Sequence, residues 1–302
     1  MAMRLLLVHA LSPLHAGTGR ALGAIDLPIA RERPTGIPLL PGSSIKGALR
    51  ARCEDKQWQR DIFGPETESS SEHGGSVQFS DLHLVLLPVR SLAGTFAWVT
   101  SPYLLQRFAR TAREVGEAVP EVPAAPRQEK QCSVVGRALV AQRAASSAVV
   151  LEDLDLVPDI ETPGTKLGVL ATWISERVFP DGAPDSKVWR QSLIDRICLV
   201  HDNMMSYLME TAVEVSARIR LDPEAKTVAK GALWYEEALP CESILAGIAV
   251  ASDVPAFKER QKRTAEELLG QVAKLTKGLV QLGGKATVGH GSCAVQVIGG
   301  KP

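Results

Sequence analysis

Residues 12–42 carry five prolines (Pro13, Pro28, Pro34, Pro38, Pro41) and five glycines (Gly17, Gly19, Gly23, Gly36, Gly42). No helix tolerates that density, because each interior proline removes a backbone donor and clashes with the preceding turn. The stretch follows an apolar run, residues 3–11 (MRLLLVHAL), which Ser12-Pro13 ends and which reads as a buried strand. It precedes a segment with helical signals. Long loops without secondary structure are uncommon inside a compact domain and are usually functional. The chain must therefore fold around a strand, a long ordered or semi-ordered loop and a helix.

Downstream, Ser43 or Ser44 can cap a helix reaching about Arg60, with Ile45, Leu49 and Cys53 as its apolar face and Lys46 and Arg50 beside it. A polar Ser/Glu-rich turn follows Phe63-Gly64-Pro65. Residues 76–88 alternate as one strand, residues 101–117 are helical, and the Pro-rich residues 118–130 read as a mobile linker. Residues 147–158 give a strand and 164–197 two helices. Residues 211–239 form a hairpin turning at DPEAKT, and ESILAGIAVAS is a core strand. Residues 256–281 make an amphipathic helix on Leu268, Leu269, Val272, Leu275 and Leu279, with Leu282 continuing the spacing and Gly283-Gly284 as its stop. The last strand is SCAVQVIGG. Without the insertions, strand–helix–strand occurs twice. That is the α+β, ferredoxin-like split β-α-β pattern of RRM-type RNA binders.

Composition narrows the function. The formal net charge is +0, yet residues 1–60 hold nine basic side chains against four acidic ones. A local basic patch is what phosphate binding needs. The five cysteines are scattered, with no CxxC spacing, so neither structural zinc nor a disulfide framework is indicated; reduced thiols fit a cytoplasmic setting. The opening MAMRLLLVHALSPLHAG faintly resembles a signal peptide, but its apolar run is short and broken by His9. No stretch is long enough for a membrane span.

The small-residue segments exclude more than they establish. Gly17-Thr18-Gly19…Gly23 spells GxGxxxG, not the dinucleotide fingerprint, and Pro28 blocks the helix that would hold a pyrophosphate. Gly42-Ser43-Ser44-Ile45-Lys46-Gly47 lacks the P-loop order. Its small residues still let backbone N–H groups approach phosphates beside Lys46 and Arg50. Asp26 reads either as a turn carboxylate or as a group near RNA that binds Mg²⁺ or orients a ribose 2′-OH. His15 is an ordinary loop residue, a proton shuttle or a phosphate contact. Trp234 and Tyr235 on the return strand can stack on bases. Alternatively Trp234 packs inward while Glu236 and Glu237 face water. Strand alternation sets Trp234 and Glu236 on one face and Tyr235 and Glu237 on the other. His290 reads as a turn histidine, and no set of residues supports acyl transfer.

Residues 11–50, LSPLHAGTGRALGAIDLPIARERPTGIPLLPGSSIKGALR, resemble the opening of RAMP proteins from type III CRISPR systems. FGP at 63–65, PVRSLAGTFAWVTSP at 88–102, GALWYEE at 231–237 and LGGKATVGHG at 282–291 are also similar to that family, in its order. The fit is best to the subunit type that forms the filament of type III-B (Cmr) complexes.

The resemblance implies one elaborated RAMP domain over 1–302: an RRM-like palm, inserted regions at about 103–200 and a thumb hairpin at about 211–239. It implies stacking of copies on a CRISPR guide RNA, contacts with other Cmr subunits, and cutting of the paired target RNA with a divalent metal (Mg²⁺ or Mn²⁺). The catalytic positions would be Asp26, also the metal contact, with His15 and Glu236. RNA-binding positions would be Gly17, Thr18, Arg31, Ser43, Ser44, Lys46, Arg50, Gly284 and Gly289, with Trp234 and Tyr235 on the thumb. Ala238 stands where an aromatic occurs in some relatives. Alternatives are a non-catalytic structural subunit, the equivalent type III-A subunit, and a stand-alone nucleotide-binding enzyme.

Overall fold

The computed structural model describes residues 1–19, 24–65, 74–142, 146–182, 185–221, 228–255 and 262–299. β1 (Ala2–Ala10) has both faces buried. Leu6, Val8 and Ala10 face one core, and Leu5 and Leu7 face the other. This is why its sequence is a continuous apolar run rather than an alternation. β2 (Leu39–Leu40) closes the long loop.

The helix expected to reach Arg60 is two helices, α1 (Gly42–Arg52) and α2 (Lys56–Phe63). The break has a local cause: the Asp55 carboxylate accepts from the N–H groups of Gln57 and Trp58 and starts a second N-terminus. Neither Ser43 nor Ser44 caps α1. Pro41 occupies that position, and the Gly42 N–H donates to Asp81 at 2.8 Å. The strand expected at 76–88 is two, β3 (Val77–Phe79) and β4 (Leu82–Arg90), parted at Ser80-Asp81, where Ser80 Oγ accepts from the Ile248 N–H at 2.9 Å.

β5 (Phe96–Thr100) and α3 (Pro102–Glu114) follow. Residues 118–130 lack regular structure; Val119 and Val122 rest against the second core, while Arg127 to Lys130 are exposed. The insertion continues as β6 (Gln131–Val135), β7 (Val140–Gln142), β8 (Ser147–Leu151) and β9 (Leu154–Glu161). The single strand expected at 147–158 is the β8–β9 hairpin, which turns at Glu152 with φ 50°.

α4 (Lys166–Val178), α5 (Ser186–Arg196), β10 (Ile197–Val200) and α6 (Asp202–Thr211) lead to the thumb strands β11 (Glu214–Leu221) and β12 (Val228–Ala238). The expected turn DPEAKT, the Ser/Glu-rich segment 66–73 and residues 256–261 lie outside the described residues. β13 (Ile244–Ala251) precedes α7 (Ala265–Leu275), β14 (Leu279–Gln281) and β15 (Ser292–Ile298). α7 is shorter than the leucine spacing predicts. A capping box at Thr264 and Glu267 starts it, it ends at Thr276, and Leu279 lies exposed on β14.

Thirteen strands form one sheet: eleven follow the order β14-β15-β1-β13-β4-β5-β10-β6-β9-β8-β7, β2 pairs with β4 and β3 with β13, while β11 and β12 form a separate two-stranded sheet. Within it β15, β1, β13 and β4 are neighbours and all antiparallel. α1 and α2 connect β1 to the β3–β4 segment, and α7 connects β13 to β14 and β15. That is the split β-α-β arrangement, extended on the β4 side by the inserted strands. Ile45, Leu49, Leu268 and Val272 cover one face; Leu105, Leu170 and Ile174 cover the other. Among the described residues no helix is long and apolar enough to cross a membrane.

A Cβ on Gly42 would stand 2.2 Å from the Phe79 carbonyl oxygen, which is backbone and cannot swing aside. Gly42→Ala is therefore expected to cost about 1–3 kcal/mol in urea unfolding. An unchanged midpoint would show that α1 does not need this close approach.

Candidate nucleic-acid interface

The described parts of the long loop are sewn to their surroundings by short strand-like bridges, which pair backbone groups at Leu14, His15, Gly17, Leu27 and Arg31 without regular structure. Leu14 and Leu239 exchange N–H···O bonds of 2.8 and 2.9 Å. The Gly284 N–H donates to the His15 carbonyl at 2.9 Å, and the Ala30 N–H to Ala16 at 2.7 Å. Leu27 donates to the Tyr235 carbonyl at 3.1 Å and accepts from the Glu237 N–H at 3.0 Å. Leu14, Ala16, Ile29 and Ile37 are buried and pin the loop from below.

Glu237 is where these ties converge. Its side chain, 6% exposed as a residue, pairs with Arg31 and accepts from the Ile29 N–H at 3.0 Å. Its carbonyl oxygen lies 2.6 Å from His15 Nδ1, which must therefore carry a proton and donate. Arg31 also donates to the carbonyls of Gly36 and Met209, at 3.1 and 2.9 Å. The guanidinium thus serves the loop's architecture. The next residue, Glu32, is held by both arms of Arg107 at 2.6 and 2.9 Å. The Arg107 hydrogen bonds outweigh burial and lower the Glu32 pKa to about 2.

Asp26 behaves differently. It is exposed, and Oδ2 accepts from the Tyr235 N–H at 2.8 Å. Oδ1 has no partner among the described residues. Glu236, 5% exposed, faces the other side of β12. Its Oε1 takes Lys285 at 2.6 Å and Trp234 Nε1 at 2.7 Å; its Oε2 takes Arg218 at 3.3 Å. Burial works to raise its pKa, but the bonds from Lys285 and Trp234 and the charges of Lys285 and Arg218 prevail and lower it. The expectation of water-facing Glu236 and Glu237 is thus corrected: both are buried because cations reach them. The alternation of Trp234 with Glu236 is as expected.

The structure brings other expected residues to the same side. His15, Gly17, Leu27, Ser44, Gly284 and Lys285 line an open cavity of about 560 Å³. Gly17 is needed there, since a Cβ would lie 2.5 Å from His15 Nε2. Thr18, Ser43 and Gly289 are exposed, and Lys46 has no ion-pair partner among the described residues. Tyr235 is exposed and Trp234 half-buried. Arg50 is turned inward and donates to the carbonyls of Gly64 and Pro65.

Sequence reasoning missed Lys285, Arg218 and the role of Glu237. It also treated His290 as an ordinary turn residue. His290 Nε2 lies 3.4 Å from Arg218, its Nδ1 is buried with no partner among the described residues, and burial followed by the Arg218 charge lowers its pKa. The alternation of β12 was the available signal, since it forces two consecutive glutamates to opposite faces of a paired strand.

Among the described residues no three His, Cys, Asp or Glu side chains converge to hold a metal. The single free oxygen of Asp26 fits a divalent ion that draws its other ligands from phosphate and water, as Mg²⁺ commonly does. It does not fit a resident cage.

The sequence profile of the RAMP superfamily matches residues 7–294. The chain is 31% identical over 294 residues to the CRISPR system Cmr endoribonuclease Cmr4 of Pyrococcus furiosus, covering 94% of this chain and 92% of that protein. Its fold matches a crystal structure of oligomeric Cmr4 from P. furiosus with a TM-score of 0.72, at 24% identity and 100% of both chains. It also matches a chain of the type III-B Cmr-beta complex bound to cognate target RNA, with a TM-score of 0.70, 18% identity and 98% and 97% of the two chains.

Two outcomes follow from the ion pairs. Arg31→Ala leaves the buried Glu237 carboxylate uncompensated and is expected to cost about 3 kcal/mol in denaturant unfolding. Arg31→Lys should restore only part of this, because an ammonium cannot replace the fork that reaches three acceptors. The Glu32–Arg107 contribution should be complete above the usual Glu value of 4.5 and fade as pH falls towards 2. The stability gap between wild type and Arg107→Ala should therefore narrow on acidification; a constant gap would contradict the pairing.

Proposed function

The chain belongs to the RAMP superfamily, and on that premise we propose that it is the repeating backbone subunit of a cytoplasmic type III-B (Cmr) ribonucleoprotein. It binds the guide RNA along a filament of its own copies, contacts other Cmr subunits, and cleaves the paired target RNA at regular intervals. Its support is the 31% identity over 94% of the chain to a protein named a Cmr endoribonuclease, together with the arrangement of the loop, the thumb strands and the C-terminal glycine turn.

One observation carries the mechanistic half. Of the three carboxylates around β12, Asp26 is exposed, while Glu236 and Glu237 are buried and ion-paired. A side chain that must meet RNA cannot be committed to the protein. Asp26 is therefore the catalytic residue and metal contact. Glu236 holds Lys285 and Arg218 in place, and acts on the reaction through those cations.

Guide binding is independent of sequence, so its tools are backbone amides and cations on phosphate. Exposed Gly17, Thr18, Ser43, Gly284 and Gly289 let the chain approach closely, with Ser44 in the cavity wall and Lys46 supplying an uncommitted charge. His15 lines the same cavity, and with both ring nitrogens protonated its Nε2–H would donate to a phosphate oxygen while Nδ1 stays on Glu237. Trp234 and Tyr235 mark the thumb, where an unpaired nucleotide would be displaced.

For cleavage, a splayed nucleotide frees its backbone for in-line geometry. Asp26 turns Oδ1 to the ribose–phosphate while Oδ2 stays on Tyr235. The 2′-hydroxyl gives its proton to Asp26 Oδ1 as its oxygen attacks phosphorus; the bond to the 5′-oxygen breaks, that oxygen takes a proton from water, and a 2′,3′-cyclic phosphate and a 5′-hydroxyl remain. A bound Mg²⁺ or Mn²⁺ would neutralise charge developing on the phosphoryl oxygens.

Asp26→Ala is expected to abolish target cleavage in the assembled complex while assembly and target binding remain normal. Cleavage at the wild-type rate by that variant in an assembled complex would remove Asp26 from the chemistry. A guide-RNA mobility-shift assay tests the binding half separately.

A further inference from the structure

The loop beside Asp26 is tied to the thumb by one strand-like bridge. Leu27 forms a parallel bridge with Glu236, on the edge of β12 that β11 does not use. In that bridge the Leu27 N–H bonds to the Tyr235 carbonyl and the Glu237 N–H to the Leu27 carbonyl. The main-chain N–H and C=O of Tyr235 therefore both point to the loop, and Tyr235 and Ala217 face each other as a pair without hydrogen bonds to β11. The C=O takes a backbone partner. The N–H takes the Asp26 carboxylate, at 2.8 Å.

We propose that the Tyr235 main-chain N–H is the positioning group for Asp26, so that the thumb ribbon and the cleaving side chain move as one unit. This rests on the reading of Asp26 as the catalytic residue. An exposed aspartate on a loop samples several rotamers. A bond from a fixed amide to one oxygen selects one of them and leaves the other oxygen aimed outward. Bonds to a charged acceptor are about twice as strong as neutral ones, so the selection is substantial. Placement of a reacting group is critical, since an error of about 1 Å can cost about 100-fold in rate. Displacement of the thumb by RNA would then carry Asp26 with it.

The test uses guide-loaded complexes under single-turnover conditions at saturating target, with target affinity measured in parallel. Tyr235→Ala removes the ring and keeps the N–H; Tyr235→Pro removes both. No β11–β12 hydrogen bond depends on that N–H. The proline variant is expected to cut about 10- to 100-fold more slowly than the alanine variant, at equal target affinity. Equal rates for the two, with Asp26→Ala inactive, overturn the positioning role and leave the Asp26 assignment standing. Wild-type cutting by Asp26→Ala overturns both. Should the proline variant fail to assemble, replacing Tyr235 by its α-hydroxy acid removes the N–H and keeps the ring, at the cost of a weaker acceptor at the Trp234 carbonyl. The same loss is expected there, and a wild-type rate overturns the proposal.

Discussion

The buried carboxylate of Glu237 and the Arg31 guanidinium meet at the root of the thumb, and the shape of the long loop depends on that pair. Through its side chain Glu237 holds Arg31 and the Ile29 amide; through its backbone it holds His15 and Leu27. Four separate parts of a proline-rich segment are thus fixed by one residue of a strand. Such a segment cannot organise itself through periodic hydrogen bonds. Its order comes from outside, from a charge pair whose partners are largely withdrawn from water, where removing either member costs far more than the pair contributes.

The same strand sorts its acidic neighbours by use. Glu236 and Glu237 point to opposite faces and are each neutralised by cations from distant segments, Lys285 and Arg218 on one side and Arg31 on the other. Among the described residues Asp26 is held only by a backbone amide and keeps a free oxygen. A chain with no net charge can in this way spend much of its basic content on internal pairs and still leave Lys46 and the glycine-lined cavity open to a polyanion.

Much of this was legible before the fold was known. The β1 run, the α1 apolar face of Ile45, Leu49 and Cys53, the thumb strands and the strand–helix–strand repeat follow from local pattern. So does the alternation that puts Trp234 with Glu236. What stayed hidden required partners far away in the chain. Asp81 accepts from the first N–H of α1 from 39 residues on, and Ser80 beside it bonds to Ile248 between β3 and β4. Asp55 starts a second helix just beyond the apolar face of Ile45, Leu49 and Cys53. Glu237 looked like a surface residue because nothing near it in sequence announces Arg31. Leu279 kept helical spacing with Leu275 but lies on a strand. Lys285 and His290 joined the site only when the C-terminal glycine turn folded back against the first loop.

The central claim is that this first loop faces RNA and that its aspartate reaches a scissile linkage. The most direct measurement is a structure of the guide-loaded assembly with target paired. The account predicts the Asp26 carboxylate, still bonded to the Tyr235 amide, against the ribose–phosphate of a displaced target nucleotide. An Asp26 turned away from every such linkage, or buried between subunits, would contradict it.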